Sequence, residues 1–130
     1  MKVYFGWRLI AFGRRLAPYS YCDVPAFKNC DPLAGVLYDD GGLGFEEVLE
    51  RTKNGIEETK KIIEGQLEKG EIYTETFCAE IGRDRTEIYF NFDVSYNQFI
   101  PTTMFLTILT EWYEFIKLPP QKGVTKIVEV

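Results

Sequence analysis

The sequence predicts a single α+β domain spanning residues 1–130, in which a largely antiparallel sheet is packed by two main helices. Three patterns carry that expectation. Residues 2–12 alternate as a strand, residues 45–69 and 104–117 each carry an apolar stripe at helical spacing, and residues 71–95 alternate on either side of a glycine-containing turn. The order strand, irregular segment, helix, hairpin, helix, strand suits a layered α+β arrangement, with no internal repeat.

Each element has its own reason. In the first strand Val3, Phe5, Trp7, Leu9 and Ala11 share one face, and Tyr4, Arg8, Ile10 and Phe12 the other. With both faces apolar, the strand is expected inside a sheet and covered on both sides. Residues 13–44 hold Pro18, Pro25 and Pro32, five glycines, and the turn Asp39-Asp40-Gly41-Gly42. They predict an irregular segment that packs on the body through Tyr19, Tyr21, Phe27, Leu37 and Tyr38, with residues 33–38 as a strand or a helical turn.

In the first long helix, Phe45, Leu49, Thr52, Ile56, Thr59, Ile63 and Leu67 form the stripe. Glu46 and Glu47 complement the dipole at its start, and Gly70 suits a left-handed cap at its end. Gly55 and Gly65, each costing about 1 kcal/mol against Ala, mark places where another element comes close. The hairpin turns at Gly82-Arg83-Asp84-Arg85. Tyr73, Phe77, Ala79 and Ile81 are expected on one face of its first strand, and Ile88, Phe90, Phe92 and Val94 on one face of its second. The second helix follows Pro101 with a threonine cap, buries Phe105, Ile108, Leu109, Trp112, Phe115 and Ile116, and stops at Pro119-Pro120. Residues 124–130 alternate as a last strand.

Composition removes whole classes of chemistry. The 130 residues include no histidine, so Ser-His-Asp and Cys-His nucleophile systems and imidazole-ligated zinc are excluded. Three cysteines cannot complete a four-thiolate site within the chain, and Cys22, Cys30 and Cys78 are expected to act as small hydrophobes. The Asp-Asp-Gly-Gly turn is not a calcium loop, because Gly41 and Leu43 occupy positions that must donate side-chain oxygens. No phosphate-cradling glycine loop occurs. No catalytic residue, metal or cofactor is expected. The start of the chain lacks the pattern of a secretory signal, and no stretch is long and apolar enough to span a bilayer, which together predict a cytoplasmic protein without membrane contact.

The net charge is −5, and it is unevenly spread. Residues 1–38 carry +3 and residues 115–130 carry +2, while residues 39–70 carry −4 and residues 71–114 carry −6. A field of that sign serves solubility, repels nucleic acid and attracts basic proteins. Two groups are the candidate partner-binding residues. Asp39, Asp40, Glu46 and Glu47 gather acids at a turn and helix entry; Glu87, Tyr89 and Asp93 place a tyrosine among acids on an outward strand face. Glu75, Glu87 and Asp93 are also the candidates for an alternative reading, a carboxylate-dependent enzyme such as a glycosidase or lyase.

A small acidic α+β chain without catalytic equipment, ending in the aromatic helix Phe105-Leu-Thr-Ile-Leu-Thr-Glu-Trp-Tyr-Glu-Phe-Ile116, resembles the bacterial immunity proteins of contact-dependent growth inhibition and related polymorphic toxin systems. The resemblance lies in the architecture of the whole chain and transfers no residue role. It implies a protein that neutralises a cognate toxin domain, often a nuclease with a basic cleft, by binding over its active site.

Overall fold

In a computed structural model, residues 1–24 and 30–130 are described. The elements are β1 (Lys2–Ile10), β2 (Arg15–Cys22), α1 (Pro32–Tyr38), α2 (Phe45–Ile63), β3 (Gly70–Tyr73), β4 (Phe77–Ile81), β5 (Arg85–Phe90), β6 (Asp93–Pro101), α3 (Thr102–Ile116) and β7 (Gly123–Glu129). The fold is α+β as expected, but its strands make two antiparallel sheets rather than one, in the orders β2-β1-β7 and β3-β4-β5-β6.

β1 is the central strand of the smaller sheet, paired with β2 and β7. Val3, Phe5 and Trp7 are buried, whereas Arg8 and Leu9 are exposed. The far half of the strand therefore projects beyond the core instead of being covered on both faces. Residues 13–44, expected to be irregular apart from a strand or a helical turn over 33–38, contain β2 and the helical turn α1. Pro18 is accommodated because β2 is an edge strand, where a missing amide costs no ladder bond on the open side. Pro32 opens α1, where its absent N–H would have been an orphan donor. Asp31 caps that helix: one carboxylate oxygen accepts the Ala34 amide at 3.3 Å and the other the Cys22 amide at 2.7 Å, fastening α1 to β2. Pro25 and Phe27 lie outside the described residues.

α2 is shorter than its sequence pattern and is rotated from it. It buries Val48, Thr52, Gly55, Ile56, Thr59 and Ile62, leaving Phe45 and Leu67 exposed. Gly65, in left-handed conformation at φ 81°, ends it in place of Gly70. Gly55 marks the close approach: a β-carbon there would lie 2.5 Å from Ile72 Cδ1 of β3. The strand expected over residues 71–81 is broken by a turn at Thr74–Thr76. The Thr74 hydroxyl donates to the Phe77 carbonyl and accepts the Phe77 amide, both at 2.8 Å. A second turn at Asn91-Phe92 separates β5 from β6.

α3 joins the two sheets. At its start Thr102, the first helical residue rather than the cap, donates to the Gly82 carbonyl at 2.6 Å and lies 3.0 Å from the Thr86 hydroxyl. At its end Trp112 packs edge-on to Phe5, with ring centroids 5.0 Å apart, and Phe115 packs against both Phe5 and Trp7. Glu111 forms an ion pair with Lys126 of β7. All six residues of the expected apolar stripe are buried.

Candidate functional site

The first predicted group proves to be built into the fold. Asp39 accepts the Gly41 amide and the Thr76 amide, each at 3.0 Å, and so ties the turn between α1 and α2 to the turn between β3 and β4. Partial burial pushes its carboxyl pKa up. The Gly41 amide and the donors on Thr74 and Thr76 outweigh that and hold it below the ordinary value. Asp40 accepts the Gly42 amide at 2.8 Å. Arg51 of α2 donates to the carbonyls of Val36 and Leu37, closing the end of α1. Burial lowers the Arg51 pKa, against the opposing pull of Asp39, Glu47 and Asp40. Three of the four acids therefore surround one partly buried cation, and only Glu46 stands clear on the exposed start of α2.

The second group leads to a different arrangement. Glu87 and Tyr89 lie on the outer face of the four-stranded sheet, but Asp93 does not join them. It begins β6 and accepts the Ser95 amide and hydroxyl, at 3.1 and 2.6 Å. Glu75 sits in the turn before β4, apart from Glu87 in mid-strand, so the three carboxylates of the enzyme reading are not brought to one place.

What the fold does bring together is a row of glutamates. Register places Glu71 of β3 opposite Glu80 of β4, and Glu80 opposite Glu87 of β5, with Phe99 of β6 completing the line. Side chains directly opposed in antiparallel strands start roughly 5 Å apart, a spacing at which like charges repel. Glu58 of α2 joins the margin by accepting the Glu71 amide at 3.1 Å. These residues, with Lys69 and Arg85, line a groove of about 610 Å³. The Arg85 guanidinium lies 4.5 Å from the centre of the Phe99 ring, and neither ion pair seen among the described residues involves the groove.

Hydrogen bonds fix part of the row. Tyr89 donates to Glu80 at 3.0 Å and Asn97 donates to Glu87 at 2.8 Å. Tyr89, hydrogen-bonded to Cys78 and Glu80 and partly buried, has its phenol pushed well above the ordinary range, so it acts as a fixed donor. Cys22, Cys30 and Cys78 are free thiols, and burial foremost, with nearby carboxylates, pushes each pKa up. Cys22 and Cys78 are buried; Cys30 is half-buried. Among the described residues no group of three Cys, Asp or Glu side chains is placed to hold a metal ion, and no helix is long and apolar enough to cross a membrane.

The sequence pattern missed Glu58, Glu71, Glu80, Arg85 and Phe99. Reading residues 71–81 as one strand put Tyr73 on the same face as Ala79 and Ile81. The turn at Thr74–Thr76 reverses that parity, so Ile72, Ala79 and Ile81 face the core while Glu71, Tyr73 and Glu80 share the other side. No family model, curated protein or solved structure matches the chain.

Proposed function

We propose that the protein is an acidic binding protein of the immunity type, acting in the cytoplasm, that neutralises a basic toxin domain by seating the outer face of its four-stranded sheet over the toxin's active-site cleft. The observation that carries this reading is the in-register row Glu71, Glu80 and Glu87. Three carboxylates held side by side cost the isolated protein stability, a cost that a cationic partner offsets. Four glutamates against two cations make a surface suited to a cleft that otherwise receives phosphates. The exposed rings of Tyr73 and Phe99 supply apolar anchors beside the charge. The groove is open to solvent, and opposite charge speeds encounter toward roughly 10⁸–10⁹ M⁻¹s⁻¹ at low salt.

The test is to isolate the partner by co-purification and measure its association rate at several ionic strengths. Glu71→Lys/Glu80→Lys is expected to slow association at least tenfold and to flatten or reverse its salt dependence. An unchanged on-rate removes this face as the contact surface. The same opposed glutamates favour one further reading, since a pair of neighbouring carboxylates also serves glycosidases. Substrate turnover by the purified protein, lost in Glu80→Gln, would replace inhibition by catalysis.

A further inference from the structure

We propose that the groove also receives the β1–β2 turn of a second copy of this chain, so that the protein associates head to tail and masks its own acidic face. The inference rests on reading the groove as a contact surface for basic groups, and it begins at the other end of the molecule.

The turn is built in an unusual way. Ala11, Phe12 and Gly13 are all left-handed, at φ 53°, 59° and 79°, closed by the Gly13 and Arg14 amides donating to the Ile10 carbonyl at 3.1 Å. Glycine or asparagine takes such positions without strain; alanine and phenylalanine do not. The strain holds the Phe12 ring at the tip, 105% exposed, where it touches no core. Strained backbone of this kind gathers at binding surfaces, and the exposed ring makes no contact that the fold needs.

Charge says what the contact is. From Lys2 to Cys22 the chain carries four bases and no acid, in a protein of net charge −5. Arg8 is already held over the rings of Tyr19 and Tyr38, at 5.4 Å from each. Arg14 and Arg15 follow Phe12 closely, both exposed, and take part in neither ion pair among the described residues. The groove offers the complement: Glu71, Glu80 and Glu87 for the guanidinium groups, and the exposed Phe99 for the ring.

Within one molecule the two cannot meet. Ile10 and Arg15, at the base of the turn, line a small cleft with Phe45 at the start of α2, whereas Glu58, thirteen residues further along that helix, borders the groove. At 1.5 Å per residue the separation is about 20 Å, and the register Ile10↔Arg15 leaves the turn no slack to cross it. The contact is therefore between copies and heterologous, and it propagates into open chains unless its rotation closes a ring.

Sedimentation velocity tests this with two exposed-surface variants, a tip variant Phe12→Ser/Arg14→Ser/Arg15→Ser and a groove variant Glu71→Lys/Glu80→Lys, each first shown by circular dichroism to be folded. At low salt the wild type should exceed its 15.1 kDa monomer mass as concentration rises, and return to it in high salt. Each variant alone should stay monomeric, while an equal mixture should form a dimer and nothing larger, because only one tip and one groove remain intact. A wild type that is monomeric at every concentration, or a tip variant that still associates, overturns the proposal. Poly-lysine binding separates the two readings. If it is lost in the groove variant while the wild type never self-associates, only the self-docking fails; if it ignores Glu71→Lys/Glu80→Lys, the groove itself is not a cation-binding surface and both fail.

Discussion

Asp39 shows how a residue chosen for its charge can be occupied by the fold. Its carboxylate joins two turns by accepting backbone amides from Gly41 and Thr76, and those donors hold its pKa below the ordinary 3.8. A carboxyl whose folded pKa is depressed stabilises the protein above the unfolded value and loses that contribution as pH falls through the folded value. Asp39→Ala should therefore cost about 1 kcal/mol in denaturant unfolding at pH 7, and the gap from wild type should narrow as the pH is taken below 3.8. A gap that is constant across that range would mean the side chain acts through packing instead. Glu87 and Tyr89 were legible as outward-facing residues because β5 alternates cleanly. Their neighbours Glu71 and Glu80 were not, because a strand's own pattern gives the face of a residue but not which residue stands opposite it on the next strand.

At the scale of elements, glycine and proline decided what could be read. Gly55 was recognisable as a point of close approach, and Ile72 is what approaches. Gly55→Ala gains helix propensity but drives a methyl group into the Ile72 side chain, so a net loss of about 1 kcal/mol is expected. Ile72→Val, which removes the offending Cδ1 atom, should recover most of that loss in the double variant, measured by thermal melting. β2 was hidden, and α1 was read only as a strand or a helical turn over residues 33–38, because Pro18 and Pro32 look like interruptions in sequence, yet an edge strand and the first turn of a helix are the two places that tolerate them. The left-handed β1–β2 turn yields a sharper expectation. Replacing Ala11-Phe12 by Asn-Gly, the residues that such a turn prefers, should raise stability by about 1 kcal/mol or more while abolishing association between copies. A variant that is no more stable than wild type would show that the turn carries no strain.

At the scale of the molecule, α3 is the part on which both sheets depend. It was also the most legible element, since its six-residue stripe is buried in full. The division into two sheets was not legible, because it depends on which strands find each other across long stretches of chain. Trp112→Ala should cost about 3–5 kcal/mol, and far-UV dichroism and tryptophan fluorescence should lose their signals at one midpoint, as expected when neither sheet persists without the other. Separate midpoints would divide the molecule into two folding units. The smaller sheet also draws the ends of the described chain together. The Met1 ammonium donates to the Val130 carbonyl at 3.0 Å, and the Val130 amide donates to the Met1 carbonyl at 2.9 Å. Residues 1 and 130 thus stand side by side. A circular permutant, with a short linker across that gap and new ends cut at Gly13, should melt near the parent temperature and run as a monomer, its acidic face intact and the finger that would cover it unfastened.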